Sequence, residues 1–409
     1  MTESEGTLRL VNEADVTGKR VLLRVDFNVP VADGVVIDDT RIRAVLPTIR
    51  YLIDNRARII VISHQGRPKG DGYERKYTLA PIARALGELL KRDVQLTHDI
   101  LGKQTAADVE ALEEGEVLML ENLRFDAGEK SCDMQFAKRL SELADVFVND
   151  AFAAAHRTHA SITGVTQFLP SYAGFLMNKE LGTFDRMLAA PAHPFVAILG
   201  GSKVSDKIKV INKLIDTVDV LIIGGAMCFT FLAAQGYSVG ASLKEDDWIG
   251  PAADLLKKAA EKGVQFLLPT DLVIASKASA DAKTSICDIA AGIPDDRMGL
   301  DIGPATIKLY LGAIAKGRTV FWNGPMGVFE LEPFANGTRQ VATAVAMNSG
   351  ATTIIGGGDS IAAINKFGYD DLVTFISTGG GAALELLEGS ELPGVMALRD
   401  ASTSVPFRC

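Results

Sequence analysis

Two kinds of residue recur in this chain at places where they could do chemistry. The first kind is cationic. Arg41 lies in DDTRIRAVLP, His64 and Arg67 in VISHQGRPKG, Arg124 in LENLRF, and His156 and Arg157 in VNDAFAAAHRTHAS, while VLLRVDFNVP places Asp26 and Asn28 just past an apolar run. The planar guanidinium fork matches carboxylate and phosphate. One such arginine reads equally well as a surface ion pair; several beyond one sheet edge point to a small, highly anionic substrate. The second kind is glycine. IIGGGDS (354–360), ILGGSK (198–203), IIGGAM (222–227) and STGGGA (377–382) each run from an apolar stretch into glycines and then into a helical pattern. Glycine weakens element interiors, so its repeated use here needs a reason. In open α/β sheets ligands bind beyond the carboxyl ends of the strands, glycine lets the backbone approach them, and the following helix N-terminus suits phosphate.

Lys203 and Lys207 are four residues apart, which places them on one face if the helix begins at Lys203. Cations in a first turn oppose the helix dipole, and an anionic ligand would explain them. Asp359 has two readings that stay open: a helix N-cap, or a carboxylate holding Mg²⁺ beside phosphate oxygens. Standard fingerprints are missing. GxxxxGK[ST] fails because Asp206 stands where the second glycine belongs, and GxGxxG fails at Ile361 and Leu384, which argues against a dinucleotide oxidoreductase. There is no GxSxG or HExxH, and His156 and His159 lack further ligands to complete a metal set. A direct transfer between two bound substrates, driven by positioning and charge neutralisation, suits such a site.

The elements that must position these residues follow from the apolar pattern. Strands are expected at Val21–Val25, Ile59–Ile62, Val117–Leu120 and Val146–Val148, then at Val196–Leu199, Val220–Ile223, Gln265–Leu268, Val320–Trp322, Thr353–Ile355 and Thr374–Ile376. Helical periodicity lies between them, as at Leu79–Lys91, Lys203–Ile215 and Ala305–Lys316. Such alternation predicts an α/β fold of two doubly wound parallel-sheet domains, with a boundary in the helical segment 178–190 before PAHP. The chain has 409 residues, 47% hydrophobic and 23% charged, enough for two ordinary cores. Its net charge of −9 argues against a general nucleic-acid or membrane-surface binder. The acidic start MTESEGTLRL is not a signal peptide. The uncharged stretch 220–243 contains several glycines and reads as strand, turn and helix rather than a membrane span. Four cysteines without a CxxC pair read as reduced thiols of a cytoplasmic protein. The tail ASTSVPFRC reads as irregular.

RVDFNVP, SHQGRP, LENLRF, NDAFAAAHR, ILGGSKVSDKI, GLDIGPAT, FWNGPMGVFE, GGGDS and STGGGAALELLEG, in that order from about residue 19 to 398, together resemble phosphoglycerate kinase. The resemblance implies two Rossmann-like domains joined by a helix, and reversible phosphoryl transfer from 1,3-bisphosphoglycerate to ADP with Mg²⁺, on closure of the domains. It implies a glycerate-substrate domain at 1–177, onto which the segment 393–409 packs back, a connecting helix at 178–190 and a nucleotide domain at 191–392. By motif match the substrate contacts would be Asp26, Phe27, Asn28, Arg41, His64, Gln65, Gly66, Arg67, Arg124 and Arg157. The nucleotide contacts would be Lys203, Lys207, Gly224, Asn323, Glu330, Gly357, Gly358, Asp359 and Ser360, with Asp359 on the metal and Glu330 on the ribose. The transferring group would be met by Arg41, Lys203 and the N–H groups of Gly357, Gly358, Gly379 and Gly380. A monomer acting on small molecules in the cytoplasm, without nucleic acid or membrane, is expected. Gln65 stands where many members have leucine, and Ser360 where threonine is commoner.

Overall fold

The computed structural model describes residues 7–401, so the irregular-tail expectation for 401–409 falls, beyond Ala401, outside the described residues. These form two compact units: one runs up to Thr183 and takes in the residues from Glu391 onward, the other is Phe184–Ser390.

In the first unit the strands are β1 Arg20–Arg24, β2 Val31–Ala32, β3 Val35–Val36, β4 Arg58–Ile62, β5 Val94–Leu96, β6 Val117–Met119, β7 Val146–Asn149 and β8 Ser171–Ala173. All but the β2–β3 hairpin form one six-stranded sheet ordered β5-β6-β4-β1-β7-β8, parallel throughout. A parallel sheet covered on both faces needs strands apolar on both sides. Val21 and Leu23 of β1 join Ile59 and Val61 of β4 in one core, whereas Leu22 joins Ile60 and Ile62 in the other. The chain from Glu391 returns to this unit: helix Pro393–Asp400 packs on the turn Ala160–Gly164, and the N–H of Gly394 donates to Ala155 O at 2.8 Å.

The second unit contains β9 Phe195–Leu199, β10 Val220–Ile223, β11 Gln265–Leu267, β12 Asp271–Ala275, β13 Ser285–Asp288, β14 Met298–Ile302, β15 Thr319–Asn323, β16 Thr352–Gly356 and β17 Phe375–Ile376. Six of them form a second parallel sheet, ordered β11-β10-β9-β15-β16-β17. Val196, Ile198, Val320, Trp322 and Ile355 bury one face of it. The other three make an antiparallel sheet, β13-β12-β14, that the alternating pattern does not announce. β13 exposes three of its four residues and β14 exposes none, so neither shows the even alternation of a half-buried strand. The uncharged stretch after Asp219 is a strand, a turn and the short helix Cys228–Ala234. Among the described residues no helix is long and apolar enough to cross a membrane.

Two expectations are corrected, those for the lysine helix and for the thiols, and one of the two open readings of Asp359 is closed. The helix expected from Lys203 begins at Ile208, with Lys207 at its N-cap, so the two lysines do not share a helix face. The reason is tertiary. Val204 is fully buried, and Ser205 is held by Glu245, which accepts from its N–H at 2.9 Å and its hydroxyl at 2.6 Å. Asp359 is not the cap of its helix; Gly357 is, and no side chain caps it. Cys132 is in a disulfide, although Cys228 and Cys287 are free and buried. Absence of a CxxC pair excludes only local pairing and says nothing about thiols far apart in the chain.

Candidate active site

In the first unit the cationic residues gather past the carboxyl ends of β1, β4, β6 and β7. Asp26, two residues beyond β1, accepts the Asn28 N–H at 3.0 Å and pairs with Arg41 at 3.0 Å, while His64 Nε2 lies 3.9 Å away. Burial pushes the Asp26 carboxyl up, but His64, Arg41, Arg24 and the Asn28 N–H outweigh it and hold it at about 2. The loop after β4 is tied at Gln65 and Gly66. Gln65 Nε2 donates to Val29 O at 2.7 Å, the Gly66 N–H donates to Asn28 Oδ1 at 2.9 Å, and Asn122 Nδ2 donates to Gln65 O at 2.8 Å. Gly66 has φ +61°, and a Cβ there would sit 2.4 Å from the Tyr77 ring.

Arg124 donates Nη1 to Gly66 O at 2.7 Å, while its buried Nε and Nη2 have no partner. Burial, with Arg157 and Arg24 beside it, lowers its pKa to about 10. A guanidinium short of acceptors and crowded by like charge is costly unless an anion completes it. Arg157 is half-buried, with Nε 3.2 Å from His156 Nε2, and Arg67 and Asn28 are exposed. Phe27 does not present its side chain: the ring is fully buried and its N–H donates to Ser63 Oγ at 3.0 Å.

In the second unit the strand order reverses between β9 and β15, where a crevice opens beyond the carboxyl ends of the strands. Leu199, Asn323 and Gly356 lie in register across β9, β15 and β16, so their glycine turns emerge at one level. Each of the four turns contains a glycine with positive φ: Gly201, Gly225, Gly357 and Gly380. At Gly357 the requirement is double, since φ is +86° and a Cβ would lie 3.0 Å from Asn323 Nδ2.

A cavity of about 180 Å³ opens here, lined by Gly201, Lys203, Lys207, Asn323, Gly357, Gly358, Asp359 and Ser360, among others. Lys207 is buried, and Nζ donates to Gly200 O at 2.6 Å and Asn323 O at 2.7 Å, clamping the turns after β9 and β15. Burial drives its pKa down to about 8, against the pull of Asp359 and Asp206. Lys203, by contrast, is exposed. The Ser360 hydroxyl accepts the Gly324 N–H at 2.5 Å, and buried Asn323 Nδ2 has no partner. A second cavity of about 340 Å³ shares Gly201, Ser202 and Asp359 with the first, and is walled by Phe229, Leu243, Leu272, Met326 and Val328, with exposed Glu330 at its side. An apolar cavity joined to a small polar one suits a ligand with one apolar end and one anionic end. Gly224 and Gly380 line neither cavity; Gly225 of the same turn lines the larger one.

Among the described residues no group of three or more His, Cys, Asp or Glu could hold a metal by itself. Mg²⁺ does not need one, because it is commonly held by one or two carboxylates plus substrate phosphates. Exposed Asp359, shared by both cavities, supplies such a carboxylate, while the unpartnered Asn323 Nδ2 suits a phosphate oxygen rather than the metal. Sequence reasoning missed Arg24, Glu129, Ser161 and Asn122, all fully buried. Their only signal was charge or polarity inside apolar surroundings.

A family model described as phosphoglycerate kinase matches residues 11–390. A phosphoglycerate kinase of Thermosipho africanus is 52% identical over 392 residues, covering 95% of this chain and 97% of its own. One from Moorella thermoacetica is 55% identical over 390 residues, covering 95% and 98%. The solved structure of phosphoglycerate kinase from Coxiella burnetii superposes with a TM-score of 0.85 at 42% identity, covering 96% of this chain and 99% of that one.

Proposed function

The chain belongs to the phosphoglycerate kinase family, and we propose how its residues carry out that family's reaction. The reaction is reversible phosphoryl transfer from 1,3-bisphosphoglycerate to ADP, giving 3-phosphoglycerate and ATP, with Mg²⁺. In the reverse direction the acceptor is a carboxylate with an ordinary pKa of roughly 4, already ionised at neutral pH. No general base is required, so the protein's work is to position two anions and neutralise the charge on the transferring group.

The unit ending at Thr183 is assigned the glycerate substrate. Arg124, Arg157 and Arg67 neutralise its charge, His64 and Asn28 donate to it, and Arg41, paired in the free enzyme with Asp26, turns to the transferring group. Phe27, Gln65 and Gly66 shape this loop through backbone and packing rather than through charge. The unit Phe184–Ser390 is assigned the nucleotide. The apolar cavity takes the base, Glu330 the ribose hydroxyls, and the small cavity the phosphates, met by Lys203, Lys207, Asn323, Ser360 and the N–H groups of Gly357 and Gly358. Gly224 and Gly380 serve by allowing the neighbouring turns their geometry. Bound Mg²⁺, held by Asp359, would neutralise phosphate oxygens. A monomer working on small molecules in the cytoplasm is part of this reading, and the acidic balance of −9 supports only the lack of a nucleic-acid or membrane-surface partner.

The observation that carries this reading is that buried N–H donors lack acceptors at the carboxyl end of each parallel sheet, on Arg124 in one unit and Asn323 in the other. A coupled ATP-consumption assay with 3-phosphoglycerate tests it. Turnover that requires both substrates is expected; no turnover, or turnover indifferent to 3-phosphoglycerate, rejects it. Arg124→Met should abolish 3-phosphoglycerate binding and leave ADP affinity unchanged.

A further inference from the structure

The glycerate half-site leaves one buried cation unexplained. Arg24 ends β1 with its side chain wholly removed from solvent, so it cannot touch a substrate. Its Nε donates to Ser161 Oγ at 2.8 Å, Nη1 to Val25 O, and Nη2 to His64 Nδ1 at 3.1 Å. A guanidinium has only donors. His64 Nδ1 must therefore accept, and the imidazole proton resides on Nε2, the edge nearest Asp26 at 3.9 Å.

The chain of bonds continues away from the substrate. Ser161 Oγ donates to Glu129 Oε1 at 2.7 Å, and the Ser161 N–H donates to Oε2 at 3.0 Å. Glu129 is fully buried, 3.9 Å from Arg24 Nη2 and 3.5 Å from His159 Nδ1. Ser161 belongs to a π-helical turn, Ala160–Gly164, a rare local geometry that favours functional places. Helix Pro393–Asp400 holds that turn from outside so closely that a Cβ at Gly394 would lie 2.8 Å from Ile162 Cγ2.

We propose that Glu129 and Ser161 are positioning residues for the glycerate half-site: through Arg24 they fix His64 as the Nε2–H tautomer, so that the ring always offers the substrate a donor. The proposal rests on the assignment of this half-site to the glycerate substrate. The charged groups facing His64 are Arg24, Asp26, Arg124 and Glu129; burial and the two arginines keep the ring neutral well below its ordinary range, and the two carboxylates oppose them. Ser161 is both acceptor and donor, which lets one hydroxyl orient the guanidinium and anchor it to its counter-charge.

Nitrogen-15 NMR of the full-length enzyme reads this directly. The expected pattern for His64 is a bare Nδ1 and a protonated Nε2, unchanged from about pH 5.5 to 8. Ser161→Ala should raise KM for 3-phosphoglycerate about tenfold with kcat within about twofold, leave KM for ATP alone, and give His64 a titration near neutral pH seen both in the spectrum and in the KM profile. Ser161→Thr, which keeps the hydroxyl, should restore the tautomer and KM. A wild-type spectrum with the proton on Nδ1, or on both nitrogens at pH 7, overturns the relay whether or not any variant folds. So does a Ser161→Ala enzyme with wild-type tautomer and KM. Saturating 3-phosphoglycerate that leaves the His64 signals unmoved overturns the substrate assignment while the relay itself stands, separating the two failures.

Discussion

If Lys207 has lost part of its proton in the free enzyme, nucleotide binding must take a proton up. Lys207 is clamped between Gly200 O and Asn323 O, and burial pushes its pKa from 10.5 to about 8. A neutral amine keeps two hydrogens, enough for both carbonyls. The depressed folded value means that the charge costs about 3 kcal/mol of stability below pH 8, a penalty lifted as pH rises from 8 toward 10.5. In the free enzyme about half the amines are neutral at pH 8 and about nine-tenths at pH 9. Phosphates in the adjoining cavity favour the charged form. If they return Lys207 to its ordinary range, ADP binding takes up about 0.5 proton at pH 8, about 0.9 at pH 9 and under about 0.1 at pH 7. Titration calorimetry in two buffers of different ionisation enthalpy measures this number, and the ADP phosphates, fully ionised at pH 8 and above, do not confuse it. Lys207→Met should remove the uptake and weaken ADP binding. Binding at pH 9 without proton uptake, or uptake that survives in Lys207→Met, would show that the amine is not held as the geometry requires.

Other outcomes follow from the same geometry. Arg41→Ala should lower kcat by about a hundredfold or more with an unchanged circular dichroism spectrum, since Arg41 is partly exposed and Asp26, its partner, keeps the Asn28 N–H as a donor; near-normal turnover rejects its role at the transferring group. Gly357→Ala, forced to φ +86° against Asn323, should cost about 1–2 kcal/mol in denaturant unfolding and raise KM for ATP, and a stable variant with normal KM would mean that the turn relaxes freely. Asp359→Ala should raise the Mg²⁺ concentration giving half-maximal rate while thermal stability barely changes, because Gly357 rather than Asp359 caps the helix; an unaltered Mg²⁺ dependence would remove Asp359 from the metal.

Much of the site was legible because its chemistry is written in short segments. An apolar run, glycines and a helical pattern lie within a dozen residues, and an arginine just past a strand end is placed by the strand itself. Thus the sequence alone assigns the turns at Gly201, Gly225 and Gly357, and the cations from Arg41 to Arg157, to opposite halves of the chain. What the sequence could not decide is which charges are buried and with whom. Lys203 and Lys207 look alike in ILGGSKVSDKI, yet one is exposed and the other clamps two strand ends, because Asn323 arrives from 116 residues away. Arg24 reads as one more cation of RVDFNVP, and only folding brings it Ser161 from 137 residues away and His64 from 40. Local backbone preference acts over a few residues and is visible in any window of that length. Desolvation and the choice of partner depend on what the tertiary fold packs around each group, and so they belong to the structure alone.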